Sequence, residues 1–264
     1  MSKIVMNRRK LLTIGSVAGS SALLSGCDAF DGMLKGNSPV RNFMESTANG
    51  LSFRVQRLLI GGHAMAQEFT EADIRQPMRP NGITQPADDT YKALSGNNFA
   101  DYRLEVSGLV QKPLALSLTE LMAMPSRTQI TRHDCVEGWS CIAKWTGVPL
   151  SHVLDLAVVK SDARYIVFHC LDTIERSLSG EVKYYESIDL VDARHPQTIL
   201  AYGMNDEQLP VANGAPLRVR VERQLGYKMA KYIRAIEIVD DLSRFGAGKG
   251  GYWEDRGYEW YAGI

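Results

Sequence analysis

Cys135 stands in the run Thr131-Arg132-His133-Asp134-Cys135-Val136-Glu137-Gly138-Trp139-Ser140. A thiol beside an arginine and a histidine can be drawn toward its thiolate form by the positive charge, and soft thiolate suits a soft or high-valent metal centre. Arg132 and His133 are therefore candidate catalytic neighbours. His133, two residues from the thiol, is placed to act as an acid or as a hydrogen-bond donor at a metal. The plain alternative is a buried structural cysteine. Cys141 follows six residues on, and there is no Cys-x-x-Cys, so zinc-finger spacing is absent and so is the Cys-x-x-Cys-His of a c-type haem. A thiol redox protein joining Cys135 and Cys141 by a reducible bridge is a second reading, and a non-enzymatic lipoprotein a third.

The redox setting comes from the start of the chain. Asn7-Arg8-Arg9-Lys10-Leu11-Leu12 is a twin-arginine run before a moderately apolar stretch, which ends at Leu24-Ser25-Gly26-Cys27. That order is an export signal with a small-residue cleavage site. An apolar stretch of about 14 residues is too short to cross a core of roughly 30 Å as a helix. Leu24 to Cys27 resembles a lipobox, so Cys27 is expected to become a lipid anchor, and a periplasmic location follows. The twin-arginine route carries folded proteins, often with a cofactor already inserted. Beyond residue 27 three cysteines remain, Cys135, Cys141 and Cys170. An odd number in an oxidising compartment leaves at least one thiol free, bound or paired elsewhere.

The elements that must hold Cys135 show in the patterning. The chain has 30 basic and 30 acidic residues. Lys3, Arg8, Arg9 and Lys10 fall in the signal, which leaves 26 against 30 beyond it and excludes a nucleic-acid binder on charge. Residues 28–95 read as a tether and irregular arm, with a short helical start at Thr70-Glu71-Ala72-Asp73. Residues 96–264 read as one domain. Residues 102–108 alternate as a strand, and Ser117-Leu118-Thr119-Glu120 has capping-box spacing for a helix to Pro125. A second helix begins near Pro149. Residues 129–132, 165–170, 217–222 and 233–238 read as further strands. Short strands mixed with short helices, without regular alternation, predict an α+β fold with a mixed β-sheet.

Several separated blocks carry a resemblance. Cys135-Val136-Glu137-Gly138-Trp139-Ser140, the downstream Trp145-x-Gly147-x-Pro149-Leu150, Gly108-Leu109-Val110 with Pro113, Arg164-Tyr165, Asn213-Gly214-Ala215-Pro216-Leu217-Arg218 and Gly226-Tyr227-Lys228 to Lys231 keep one order. They resemble the molybdopterin-binding domain of the sulfite oxidase superfamily, most of all its small periplasmic members related to the methionine sulfoxide reductase catalytic subunit. The resemblance covers roughly residues 100–240. It implies a molybdenum-molybdopterin cofactor with Cys135 as the metal ligand. It further implies that Asn213, Arg218 and Met229-Ala230-Lys231 hold the pterin and its phosphate. Cys170 stands where the reductase has a hydroxyl residue, and Asn97 resembles an asparagine that reaches the cofactor.

Local chemistry agrees with this. Arg218, Arg220, Arg223, Lys228 and Lys231 face only Glu222 as an acid within their own stretch, as a phosphate-bearing ligand requires. A solvated strand face of alternating charge fits Arg218, Arg220 and Glu222 equally well. The resemblance implies two-electron oxygen-atom transfer on a sulfur-type substrate. With no haem, iron-sulfur or flavin motif in the chain, the electron partner is expected to be a membrane cytochrome b or a c-type cytochrome. The short stretch after residue 240 leaves no room for the dimerisation domain of sulfite-oxidising relatives, so a monomer is expected. Gly246-Ala247-Gly248-Lys249-Gly250-Gly251 satisfies G-x-G-x-x-G formally but lacks the following helix and strand, and reads as a turn. The aromatic tail from Tyr252 to Tyr261 is expected to pack back onto the domain or to rim the active-site mouth. His63, His152, His169 and His195 have no ligand spacing.

Overall fold

A computed structural model describes residues 50–51, 53–58, 61–177 and 180–264. The twin-arginine run, Cys27 and the first part of the tether lie outside the described residues. The chain divides into two units, Met1–Gln56 and Arg57–Ile264. Of the first, residues 50–51 and 53–56 are described, and they are helical.

The second unit is built on two sheets. In the first sheet β1 (Arg103–Gly108), β2 (Leu114–Ser117), β5 (Tyr165–Ser177), β6 (Gly180–Asp189) and β10 (Ile233–Val239) lie in the order β2-β1-β10-β5-β6. The β1 to β10 pairing is parallel and the others antiparallel, so this sheet is mixed. The second is antiparallel, with β3 (Arg127–Asp134), β4 (Ser140–Pro149), β7 (Ile199–Met204) and β8 (Glu207–Gln208) in order, and β9 (Arg218–Arg220) against β7. Four short helices accompany them among the described residues of this unit: α1 (Asp89–Gly96), α2 (Leu118–Ala123), α3 (Leu150–Ala157) and α4 (Leu190–Ala193).

Local chemistry accounts for the element ends. Ser117 and Glu120 form the expected capping box of α2, the Ser117 hydroxyl accepting from the Glu120 amide. Asp88 caps α1 by accepting from the Tyr91 amide. Val153, Leu154 and Ala157 of α3 are fully buried in the main core, with Leu104, Val106, Phe168 and Ile236. A smaller cluster beside the second sheet joins Met78, Cys141, Trp145, Ile199 and Ala201.

Two expectations change. β4, β6 and β7 were not legible as strands, and β7 is buried at every position, so no alternation betrays it. The alternating run at 217–222 is a strand only at Arg218–Arg220, and all three residues are buried. It is not a solvated face. Much of the arm before α1 is irregular yet tied down: the Phe69 amide donates to the Ile130 carbonyl and the Arg75 amide to that of Ile142.

Candidate active site

β3 and β4 form a hairpin whose last pair is Asp134 with Ser140, so Cys135 begins the five-residue connection at its tip. The Cys135 amide donates to the Trp139 carbonyl at 2.9 Å, and the Gly138 amide to the Cys135 carbonyl at 3.0 Å. Gly138 sits at φ 82°, a left-handed turn that favours glycine. The Trp139 indole donates to Glu137 at 3.0 Å, and the Arg79 guanidinium lies 4.6 Å from the Trp139 ring centroid. These contacts fix the connection. Cys135 is free, partly buried, and opens on a cleft shared with Val136, Asp172, Met229 and Lys231.

The charge around the thiol differs from the sequence-based expectation. Burial pushes the Cys135 thiol up, and the Glu137 carboxylate adds to this against the pull of two backbone amides and Arg79. Arg132 is half exposed and pairs with Asp134 instead, so it brings no charge to the thiol. His133 is fully buried, and its Nδ1 accepts from Arg220 Nη1 at 3.0 Å. Burial, then Arg220, Arg218 and Lys231, hold it well below the ordinary histidine range, so it is neutral. Its ring packs so tightly on Gly226 that a Cβ there would stand 2.5 Å from two ring atoms. Neither Arg132 nor His133 lines the Cys135 cleft. Strand alternation ends at Asp134, and the tip then turns the thiol away from the face that buries His133.

Lys231, which shares the cleft with the thiol, and Arg218 are buried cations with unusual partners. Arg218 has no exposed surface, and its guanidinium donates to the carbonyls of Asn213 and Met229. It lies 5.1 Å from the Trp145 ring centroid. Lys231 is 5% exposed, and its ammonium donates to the carbonyls of Asn81, Ile83 and Ala212. No carboxylate pairs with either among the described residues. Burial and the neighbouring Arg220 lower Arg218 to about 9, and burial with Arg218 lowers Lys231 to about 7. Arg218 Nε and Asn213 Nδ2 are buried without a hydrogen-bond partner among the described residues. Gly214 sits at φ 119°, and a Cβ on it would stand 3.1 Å from the Lys231 side chain and 3.2 Å from that of Arg218, so its loop lies close against both. Buried cations and orphaned donors are costly unless something completes them. A phosphate-bearing ligand would complete these, and a soft metal would replace the proton of the Cys135 thiol. The residues fit a molybdenum-pterin group.

Other residues implied by the resemblance fall elsewhere. Lys228 is fully buried between Glu186 and Glu254, each at 2.5 Å, and so is already paired. Ala230 is buried with its carbonyl accepting from Val219, while Met229 lines the cleft. Asn97 is exposed at the end of α1, where it donates to Asp101. Cys170 is buried and lines a different cleft, with His169, Lys183 and Arg234. Cys141 is buried in the small cluster with Trp145, and both it and Cys135 are free.

Trp253 and Tyr258, from the aromatic tail for which a rim of the mouth was one of two readings, line the cleft with Tyr227, whereas sequence reasoning missed Asp172, Tyr184 and residues 81–83, which line it too. Asp172 reaches it through a bulge. The β5 register moves from His169 opposite Tyr185 to Thr173 opposite Lys183, which sets four steps on one strand against two on the other. Cys170, Leu171 and Asp172 are consequently buried in succession. Burial pushes Asp172 up to about 7, and its Oδ1 has no hydrogen-bond partner among the described residues. A lone acid inside an apolar strand run was the available signal.

Residues 92–245 match the oxidoreductase molybdopterin binding domain. A protein of Azospira oryzae, provisionally named a protein-methionine-sulfoxide reductase subunit, is 37% identical over 256 residues, which is 97% of this chain and 87% of that protein. The protein-methionine-sulfoxide reductase catalytic subunit of Xanthomonas campestris pv. campestris is 38% identical over 160 residues, 58% of this chain and 50% of its own length. This chain thus spans about half the length of that subunit. The sulfane dehydrogenase of Paracoccus pantotrophus aligns over 54% of this chain and 39% of its own at 25% identity, with a TM-score of 0.48.

Proposed function

The chain belongs to the oxidoreductase molybdopterin binding domain family, and from that premise we propose that it works in the reductive direction, removing the oxygen of a sulfoxide. It is a molybdopterin oxidoreductase of the sulfite oxidase type. The observation that carries the reading is the opening on one cleft of the Cys135 thiol and of Lys231, which pairs with no carboxylate among the described residues. The relatives named as methionine sulfoxide reductase subunits support the choice of direction.

In this reading Cys135 is the metal ligand, and Asn213, Arg218 and Lys231 hold the pterin phosphate, with Met229 and Ala230 contributing the adjoining chain. When bound, the group supplies a centre that exchanges an oxygen atom with a two-electron change. The protein's own residues do the rest. The stapled hairpin tip fixes where Cys135 points. Arg218 at about 9 remains a cation at neutral pH, while Lys231 at about 7 is only partly charged and would gain charge against an anion. Asp172, pushed up to about 7 by burial, brings to its side of the cleft a carboxyl that titrates near neutrality. Lys228, bound to two carboxylates, anchors the chain that leads into Met229 and Lys231.

The chain is proposed to be exported folded to the periplasm by the twin-arginine route and tethered through Cys27. No helix among the described residues is long and apolar enough to cross a membrane. Electrons are proposed to arrive singly from a membrane cytochrome b or a c-type cytochrome. The test uses protein matured in a molybdenum-replete host. Metal and pterin analysis is expected to give one molybdenum and one pterin per chain, and Cys135→Ser to lose activity by at least about a hundredfold (roughly 2.7 kcal/mol). A reduced dye should be reoxidised by methionine sulfoxide, while sulfite should fail to reduce ferricyanide. Turnover of sulfite without turnover of sulfoxide reverses the direction, and folded protein without metal or pterin removes the cofactor assignment.

A further inference from the structure

The C-terminal segment that follows the matched domain supplies part of the Cys135 cleft. Trp253 and Tyr258 stack with ring centroids 5.2 Å apart and planes 24° apart, and both rings line the cleft. Tyr227, from the chain leading to Lys231, meets Tyr258 edge-on at 5.3 Å. The segment is firmly held. Glu254 reaches the buried Lys228, Tyr252 and Arg256 both reach Glu175, and the Tyr227 hydroxyl donates to the Glu259 carbonyl at 2.6 Å. The Tyr258 amide donates to the Trp253 carbonyl at 3.0 Å, closing the turn that sets the two rings face to face. Despite this anchoring, Tyr258 keeps 38% of its surface exposed, and Val136, next to the thiol, keeps 46%.

The mouth is therefore apolar, with Ile83, Val136, Ile174, Trp253 and Tyr258 around it. Its charged side chains are Glu137, Asp172 and Lys231. In the reading above Lys231 is committed to the pterin phosphate, and Glu137 adds a carboxyl group to the mouth. A small oxyanion finds no free cation there, whereas an uncharged molecule with a flat or extended apolar substituent finds two stacked rings to lie against.

We propose that Trp253 and Tyr258 are specificity-determining residues, forming an aromatic wall that selects neutral sulfoxides bearing an aryl or long alkyl substituent. The proposal rests on the reductive reading given above. It concerns the wall's contact with substrate, and leaves metal and pterin binding to residues of the matched domain.

The experiment compares loaded wild-type enzyme with Trp253→Ala, Tyr258→Ala and the double variant, on methyl phenyl sulfoxide and on dimethyl sulfoxide. Molybdenum and pterin content should equal wild type. KM for the aryl sulfoxide should rise at least fivefold in each single variant with kcat little changed, while KM for dimethyl sulfoxide stays within twofold. Equal change on both substrates overturns the proposal, as does loss of molybdenum, which would make the segment a shield for the cofactor. A second measurement is independent of turnover. Methyl phenyl sulfone, which this reaction leaves unreduced, should quench tryptophan fluorescence saturably in wild type and much less in Trp253→Phe. Quenching that depends on Trp253, in an enzyme that reduces neither sulfoxide, would overturn the reductive reading and keep the wall. Turnover of both sulfoxides indifferent to Trp253 and Tyr258 would overturn the wall alone.

Discussion

Lys228 and Lys231 stand three residues apart, both buried, and the protein treats them in opposite ways. Lys228 lies between Glu186 and Glu254, so although burial disfavours its charge, the two carboxylates outweigh that and push it up. Lys231 meets three backbone carbonyls and the Tyr232 hydroxyl, with no carboxylate paired to it among the described residues, and burial beside Arg218 brings it down to about 7. The carboxylate pair has the mirror problem: burial and the nearby Glu254 push Glu186 up, and Lys228 pulls against both. The first lysine completes a structure and the second awaits a partner. A buried cation is evidence of ligand binding only when the fold withholds its counter-charge.

The sharpest way to break this distinction is to remove each lysine in turn. Lys228→Met strands two buried carboxyls and frees the C-terminal segment that Glu254 ties down. It should cost about 3 to 5 kcal/mol in chemical denaturation of the cofactor-free protein. A loss under about 1 kcal/mol would mean that the triad does not hold the segment.

Asp172 sharpens the same point from the acid side. Its folded value of about 7 stands above the 3.8 of an unperturbed aspartate. The folded state therefore holds a proton that the unfolded state has given up. This contribution is full below about pH 4 and is lost as pH rises to about 7. Asp172→Asn keeps the shape and removes the titration, so at pH 8 the cofactor-free variant should exceed wild type by about 2 to 4 kcal/mol, with little difference at pH 4. Parallel stability curves for the two proteins between pH 4 and pH 8 would contradict this.

Lys231→Gln should act on loading more than on folding. Retained molybdenum and pterin should fall tenfold or more, about 1.4 kcal/mol, with less loss of cofactor-free stability than Lys228→Met produces. Equal stability losses in the two variants, with loading intact in Lys231→Gln, would erase the contrast.

Much of the scaffold was legible from sequence because its signals are local. The α2 capping box needs Ser117 and Glu120 only, and β1 and β10 show the alternation of strands whose two faces differ. The thiol at a turn followed from Gly138 and the flanking strand pattern. β7 stayed hidden, since a strand buried on both faces has no period to read. Arg132 and His133 looked like partners of Cys135 because they adjoin it, yet the end of the strand sends the three side chains to different surroundings. Asp172 was passed over because a bulge, which no local rule announced, carries it into the cleft.

The sequence by itself determined the family, the thiol, and a basic stretch from Arg218 to Lys231 that a phosphate-bearing cofactor would need. It could not rank the members of that stretch, because their partners come from far along the chain. Glu186 and Glu254 lie 42 and 26 residues from Lys228, and the carbonyls of Asn81 and Ile83 lie 150 and 148 residues from Lys231. Charge type is written residue by residue, but whether a charge is neutralised depends on distances of a few ångströms, and only the packed sheets bring those groups together.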